Sequence, residues 1–303
     1  MARRPDLKKR VRPRPPPETA DQALKRLLGE QWAVVSRNEK KARAGSIEAL
    51  HDVRVALRRM RSLAATFSKL DEDFLDDLDE RVSKVCDRMG EARDLDVWIE
   101  LFRDLVKAGG TAGVSARDRR QVLALLRRQR TRLAAEALDS GLFRRVKKMI
   151  RARLRLRLPK RRKKWPPPAA FAARRMMAVR ELIAERHAKV GNFSKGPAHD
   201  LRRAGRRLRY LSEFFAEDLG RESVRAGRWI TKAQAALGKV HDCDSALELS
   251  RDLPSGAARA EVRHALRKRR AAQLRKFKAA WRRYADRRLQ KTWRARIEKW
   301  AGE

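Results

Sequence analysis

The chain repeats itself in register. The stretch "HDVRVALRRMR" at residues 51–61 returns as "HDLRRAGRRLR" at 199–209, so His51 recurs as His199, 148 positions on. The same spacing joins Asp52 to Asp200, Arg54 to Arg202, Arg58 to Arg206, Arg59 to Arg207, Arg61 to Arg209 and Phe67 to Phe215. Further along, Gly90, Asp94 and Asp96 answer to Gly238, Asp242 and Asp244. A register held without slippage means two copies of one structural unit. The period is too long for a solenoid, so two helical bundles related by a pseudo-two-fold axis are expected.

Glycine and proline are scarce and clustered, and the segments between them have helical spacing. Thr19–Arg43 reads as a helix, with Ala23, Leu24, Leu27, Leu28, Trp32 and Val35 on one face. Further helices are expected over Ile47–Leu70, Phe74–Met89, Leu95–Lys107, Asp118 to Ala137, and after Gly141. The stretch 109–115, "GGTAGVS", reads as a loop. No alternating run rich in Val, Ile and Thr competes, so an all-α protein is expected. The organisation that follows is a flexible basic, proline-rich arm over 1–18 and a first bundle over 19–157. A linker over 158–171 ("LPKRRKKWPPPAAF" in sequence) and a second bundle over 172–303 complete it.

Seventy-eight Lys and Arg face 38 Asp and Glu, a formal net charge of +40. Because 42% of residues are hydrophobic, this is no disordered basic tail. The surplus charge must lie on the surface or along a groove, where it attracts a polyanion: DNA, RNA, an anionic membrane or inorganic polyphosphate. Cys86 and Cys243 are the only cysteines and have no CxxC spacing, which argues against a disulfide framework and a zinc site. A reducing, cytoplasmic setting is expected. No apolar run approaches the ~18 residues of a membrane span, and the basic N-terminus lacks the apolar run of a secretory signal.

Helical geometry sorts the repeated motif. At about 100° per residue, Arg54, Arg58 and Arg61 fall within about 80° of His51, while Val53, Leu57, Met60, Ala64 and Phe67 form a separate apolar face. Arg59 stands off the stripe. The second copy places His199, Arg202, Arg206 and Arg209 against Leu201, Leu208 and Phe215, with Arg207 off the stripe. Guanidinium is always charged, planar and able to donate paired hydrogen bonds to phosphate. Arginines on a helix are ordinarily a solvated face tied to acids at i±4. Here few acids stand at those positions and the pattern recurs, which favours a ligand.

The doubled motif resembles the CHAD family, the conserved histidine α-helical domain. The likeness rests on His51, Arg54, Val55, Arg58, Arg59 and Arg61, on His199, Arg202 and Arg206 to Tyr210, and on the Gly-x-x-x-Asp-x-Asp segments at 90–96 and 238–244. It covers roughly residues 20–290. It implies two four-helix bundles in pseudo-symmetry, a basic surface and central pore that bind inorganic polyphosphate, association with polyphosphate granules, and no catalysis. In the second copy Arg203 replaces Val55 and Gly205 replaces Leu57; a glycine inside a helix costs about 1 kcal/mol relative to alanine.

Arg127 and Arg130 match Arg267 and Arg270 at an offset of 140 residues and are candidate second-rank phosphate contacts. His51, His199, His241, Asp94, Asp96, Asp242 and Asp244 are a candidate metal set, but no His-x-x-x-His pairing exists and neighbouring arginines repel a cation. Asp94 and Asp242 are better read as helix caps. His187 and His264 have no partner visible in sequence. Trp98, Trp229 and Trp281 are read as core, and no aromatic platform for base stacking is present. No cofactor, metal or catalytic group is expected. The alternative partner is nucleic acid held without sequence preference, since phosphate contacts alone provide that. An enzyme acting on polyphosphate is the weaker third reading, for want of a P-loop or nucleophile constellation.

Overall fold

Thr19 starts the first helix: its side chain accepts from the Gln22 amide while its own amide donates to Gln22 Oε1 at 2.8 Å, a reciprocal cap. The computed structural model describes residues 18–107, 116–157, 165–191, 193–252 and 257–302. These form α1 (Ala20–Arg43), α2 (Ile47–Phe67), α3 (Glu72–Lys107), α4 (Ala116–Asp139) and α5 (Gly141–Arg155). Then follow α6 (Pro168–Ala188), α7 (Lys195–Phe214), α8 (Ala216–Leu249), α9 (Ala257–Tyr284) and α10 (Arg287–Ala301). No strand occurs among the described residues, so the fold is all-α.

The largest departure from expectation is α3. Two helices separated near Gly90 are one, because the apolar register runs straight through: Val82, Val85, Met89, Ala92 and Ile99 are all buried. That three-four spacing keeps one face inward on both sides of the glycine, which by itself lacks the left-handed turn or proline that stops a helix. The corresponding α8 residues Ile230, Ala233, Leu237 and Val240 are buried too. Asp94 and Asp242 therefore lie inside long helices and cap nothing.

The other corrections are at boundaries. The linker is shorter than expected, since Pro168 opens α6 and Ala169, Ala170 and Phe171 are buried. Proline suits that first turn, where its missing N–H has no partner to lose. Glu18, assigned to the arm, is already engaged by Arg26 Nε at 2.8 Å. Residues 1–17, the loop at 109–115 and the linker residues 158–164 lie outside the described residues.

Helices α1 to α5 pack chiefly on one another, as do α6 to α10, so among the described residues each group has five α-helices rather than four. The groups meet where α2 approaches α6 and α7. Phe67 at the end of α2 sits 6.1 Å, ring to ring, from Phe215, its counterpart 148 residues on, and 5.5 Å from Phe171. One continuous apolar core runs through both groups. Gly205 makes room between α7 and α8: a Cβ there would stand 3.3 Å from Ile230 Cγ1.

Candidate anion-binding site

The site begins with the turn ahead of each histidine-bearing helix. Gly45 precedes the Ser46 cap of α2 in a left-handed conformation, φ 96°, which glycine adopts freely. At the matching place ahead of α7, Phe193 holds φ 60°, a strained conformation for a bulky side chain. Each turn is held by an arginine. Arg130 donates from Nη1 to the Gly45 carbonyl at 2.8 Å, and Arg270 from Nη2 to the Phe193 carbonyl at 2.8 Å. Each arginine is in turn fixed by the repeated acid, Arg130 Nε to Asp96 at 2.8 Å and Arg270 Nε to Asp244 at 2.6 Å. Arg130 is only 2% exposed. Both, expected to touch phosphate, instead direct the donors named here to a carbonyl and a carboxylate, as a guanidinium buried like Arg130 requires, while Arg270 is only partly buried. Arg127 and Arg267 are exposed on α4 and α9 and do not line the pocket described next.

That pocket lies between α2, α3, α6 and α7 and holds about 180 Å³. Arg58, Arg61, Arg175, Arg203, Arg206 and Arg207 line it, with Ser62, Ala65, Tyr210, Leu211 and one acid, Asp79. Asp79 is taken by Arg61, which donates to its two oxygens at 2.7 and 3.2 Å. Burial draws Arg61 down, yet the Asp79 bonds outweigh it and the net shift is upward. Its neighbours go the other way. Burial first, then Arg58 and Arg202, push Arg206 down to about 9. Arg207 is lowered by burial and by Arg175, Arg203 and Arg61. Such shifts mark cations held together against lost solvation and mutual repulsion; they remain charged near neutrality, and an arriving anion would offset the crowded positive charge.

The rest of the stripe is divided. Arg54, 8% exposed, turns inward and donates to the Met89 carbonyl at 2.5 Å. Burial, with Arg58 next, lowers it to about 10. Arg202, the counterpart of Arg54, lies against α8 beside Gly238, where a Cβ would stand 3.3 Å from its Nε. Arg59 does not line the pocket; it donates to Glu213 at 2.7 Å with its guanidinium 4.9 Å from the Phe214 ring centre. Arg209 Nε stands 3.1 Å from Glu213 Oε1 without the alignment of a hydrogen bond.

His51 and His199 both lie in the second turn of their helices. Each has a lowered pKa, His51 through burial and then Arg93, His199 through burial and then His241. The rings of His199 and His241 are 5.9 Å apart. Arg93 and His241 are themselves 148 residues apart, so the partner of each histidine was written into the repeat. Arg175 had no such signal, because its counterpart is Leu27. Among the described residues no three His, Cys, Asp or Glu side chains gather as a metal site. Nor is any helix among them long and apolar enough to cross a membrane. His187 stacks on Trp281, ring centres 3.8 Å apart, and the fully buried tryptophan is Trp293, which donates to Ser223 at 3.0 Å; Trp229 and Trp281 are only partly buried, and the Trp98 side chain lies outside the described residues. A larger opening of about 1290 Å³ between α8, α9 and α10 sets Arg221, Arg225, Arg228, Arg283 and Arg288 against Glu217, Glu222 and Asp286, so more of its positive charge is offset by acids than in the smaller pocket.

An all-helical protein with a recessed arginine pocket between two helix groups is the class these features define. The chain belongs to the CHAD family, whose domain model matches residues 26–251. Two solved structures share its fold. The CHAD domain from the plant Ricinus communis is similar at TM-score 0.60 and 23% identity, over 93% of this chain and 92% of that one. PptA from Streptomyces chartreusis is similar at TM-score 0.60 and 18% identity, over 87% of this chain and 99% of that one. No match was found among curated protein sequences.

Proposed function

We propose that the protein binds linear inorganic polyphosphate without acting on it, at the pocket between α2 and α7. The observation that carries this reading is the convergence of six arginines on about 180 Å³ with one carboxylate, itself occupied by Arg61. The CHAD family's association with polyphosphate supports it. A phosphate chain is narrow, flexible and densely charged, and so fits a recessed pocket that a base-paired duplex is too wide to enter. Phosphate oxygens accept the paired donors that guanidinium offers. The pocket presents no paired acid and base for hydrolysis; Ser62 is its only aliphatic hydroxyl and Asp79 is tied to Arg61. A cytoplasmic place at polyphosphate granules fits such a binder.

The test is a competition between labelled long-chain polyphosphate and duplex DNA at about 0.15 M salt, where exposed charges beyond ~8 Å are screened. Polyphosphate is expected to win. Equal or tighter DNA binding overturns the reading in favour of a nucleic-acid-binding protein, and phosphate release on incubation overturns the non-catalytic part.

A further inference from the structure

The two sides of the α2–α7 contact are unequal. On one side Glu213 accepts from Arg59 Nη2 at 2.7 Å and stands 3.1 Å from Arg209 Nε. Arg59 there covers the Phe214 and Tyr210 rings, at 4.9 and 5.7 Å. Shifted by the repeat, Arg59 becomes Arg207, Arg209 becomes Arg61, Glu213 becomes Ala65, Tyr210 becomes Ser62 and Phe214 becomes Thr66. On this other side Arg61, Ser62, Ala65 and Arg207 all line the arginine pocket. Ser62, Ala65 and Thr66 are smaller than their counterparts Tyr210, Glu213 and Phe214, which leaves room beside Arg61 and Arg207, with Tyr210 itself forming another part of the pocket wall. Ala65 offers Arg207 no acid, whereas Glu213 provides one to Arg59. The Asp79 carboxylate is hydrogen-bonded by Arg61 and acts on Arg207 through its field, without the direct bond that Glu213 offers Arg59.

We propose that Glu213 is a built-in substitute for a phosphate group, closing with its own carboxylate a second seat equivalent to the pocket at Ala65. The Ala65 pocket is then the one seat left open to a phosphate of the bound chain. The arginine row is therefore one-sided, and a phosphate polymer anchors at the Arg207 end. This rests on the polyphosphate reading above, and adds which of two related positions takes the ligand and what blocks the other.

The experiment uses the full chain in phosphate-free buffer with sodium tripolyphosphate as probe, read by calorimetry and by thermal melting. Ala65→Glu is expected to raise the melting temperature of the ligand-free protein and to weaken tripolyphosphate binding at least about tenfold. Glu213→Ala is expected to lower that melting temperature and to raise the amount of tripolyphosphate bound per chain. Glu213→Gln, which keeps the volume and removes the charge, is expected to shift the melting temperature the same way. The proposal is overturned if Ala65→Glu unfolds the protein or leaves both readouts unchanged, or if Glu213→Ala weakens binding. The melting of ligand-free Ala65→Glu tests the equivalence with no phosphate present. A wild type that ignores tripolyphosphate and long polyphosphate would instead strike the binding reading.

Discussion

Asp96, inside α3, holds Arg130 of α4 at 2.8 Å, and Arg130 in turn holds the Gly45 carbonyl ahead of α2 at 2.8 Å. The histidine-bearing helix is thereby aimed from a distance of some fifty residues in sequence, and the Asp244–Arg270–Phe193 chain does the same for α7. Removing one partner of a buried pair strands the other charge, at a cost of about 3–5 kcal/mol. Asp96→Ala is expected to destabilise by that order, and Asp244→Ala by less, since the Asp244 pair is more exposed. Denaturant melts of both variants check this; equal losses would show that burial does not set the difference.

Arg206 separates binding from stability. Its pKa is depressed by burial and by Arg58, so in the ligand-free fold its charge is disfavoured relative to the unfolded chain. That penalty is fully present at neutral pH and fades as pH rises through about 9, so ligand-free stability gains there from this group. Arg206→Met is expected to raise the melting temperature of the ligand-free protein and to weaken polyphosphate binding by at least about tenfold, or about 1.4 kcal/mol. Arg127→Met, at an exposed site, is expected to change binding far less. A matched loss in both variants would place the ligand on the general surface.

Proton linkage is expected at the histidines. His51 and His199 titrate below their ordinary range in the ligand-free protein, chiefly through burial, then through Arg93 and His241 respectively. With the folded pKa lowered, the unfolded state binds more protons, and ligand-free stability from these groups falls as pH drops through the region near 6.5. A bound polyanion reverses the local field, so binding takes up protons and affinity rises as pH falls from about 7.5 to 5.5. Calorimetry in two buffers of different ionisation heat measures the uptake. Loss of uptake in His51→Gln with His199→Gln is the expected result; an unchanged slope would assign it elsewhere, with His241 the first to test.

The close approach of α7 and α8 is set by Gly227, where a Cβ would stand 2.4 Å from Ser212 Cβ. Gly227→Ala is expected to cost about 1–3 kcal/mol by overpacking. Ser212→Gly in the same chain should recover much of it, measured by denaturant melts; no recovery would mean that the strain lies in the helix and not at the contact.

The sequence by itself determined the all-α class, the repeat, and the histidine and arginine positions, because helical periodicity and a constant offset are properties of order along the chain. It also contained, in the repeat, the correspondence between Arg93, whose charge acts on His51, and His241, whose ring lies beside His199. It misjudged Gly90, because whether a glycine ends a helix depends on the apolar face that continues past it at Ala92 and Ile99. Only the tertiary structure decided which arginines line the pocket. Arg54, Arg59 and Arg130 are the same residue type as Arg58 and Arg207. A carbonyl at Met89, a carboxylate at Glu213 and another at Asp96 claim the first three, while Ala65 leaves Arg207 facing open space. A guanidinium's role is fixed by which acceptor lies within about 3 Å of it, and these acceptors, 35, 154 and 34 residues away along the chain, are brought there only by packing.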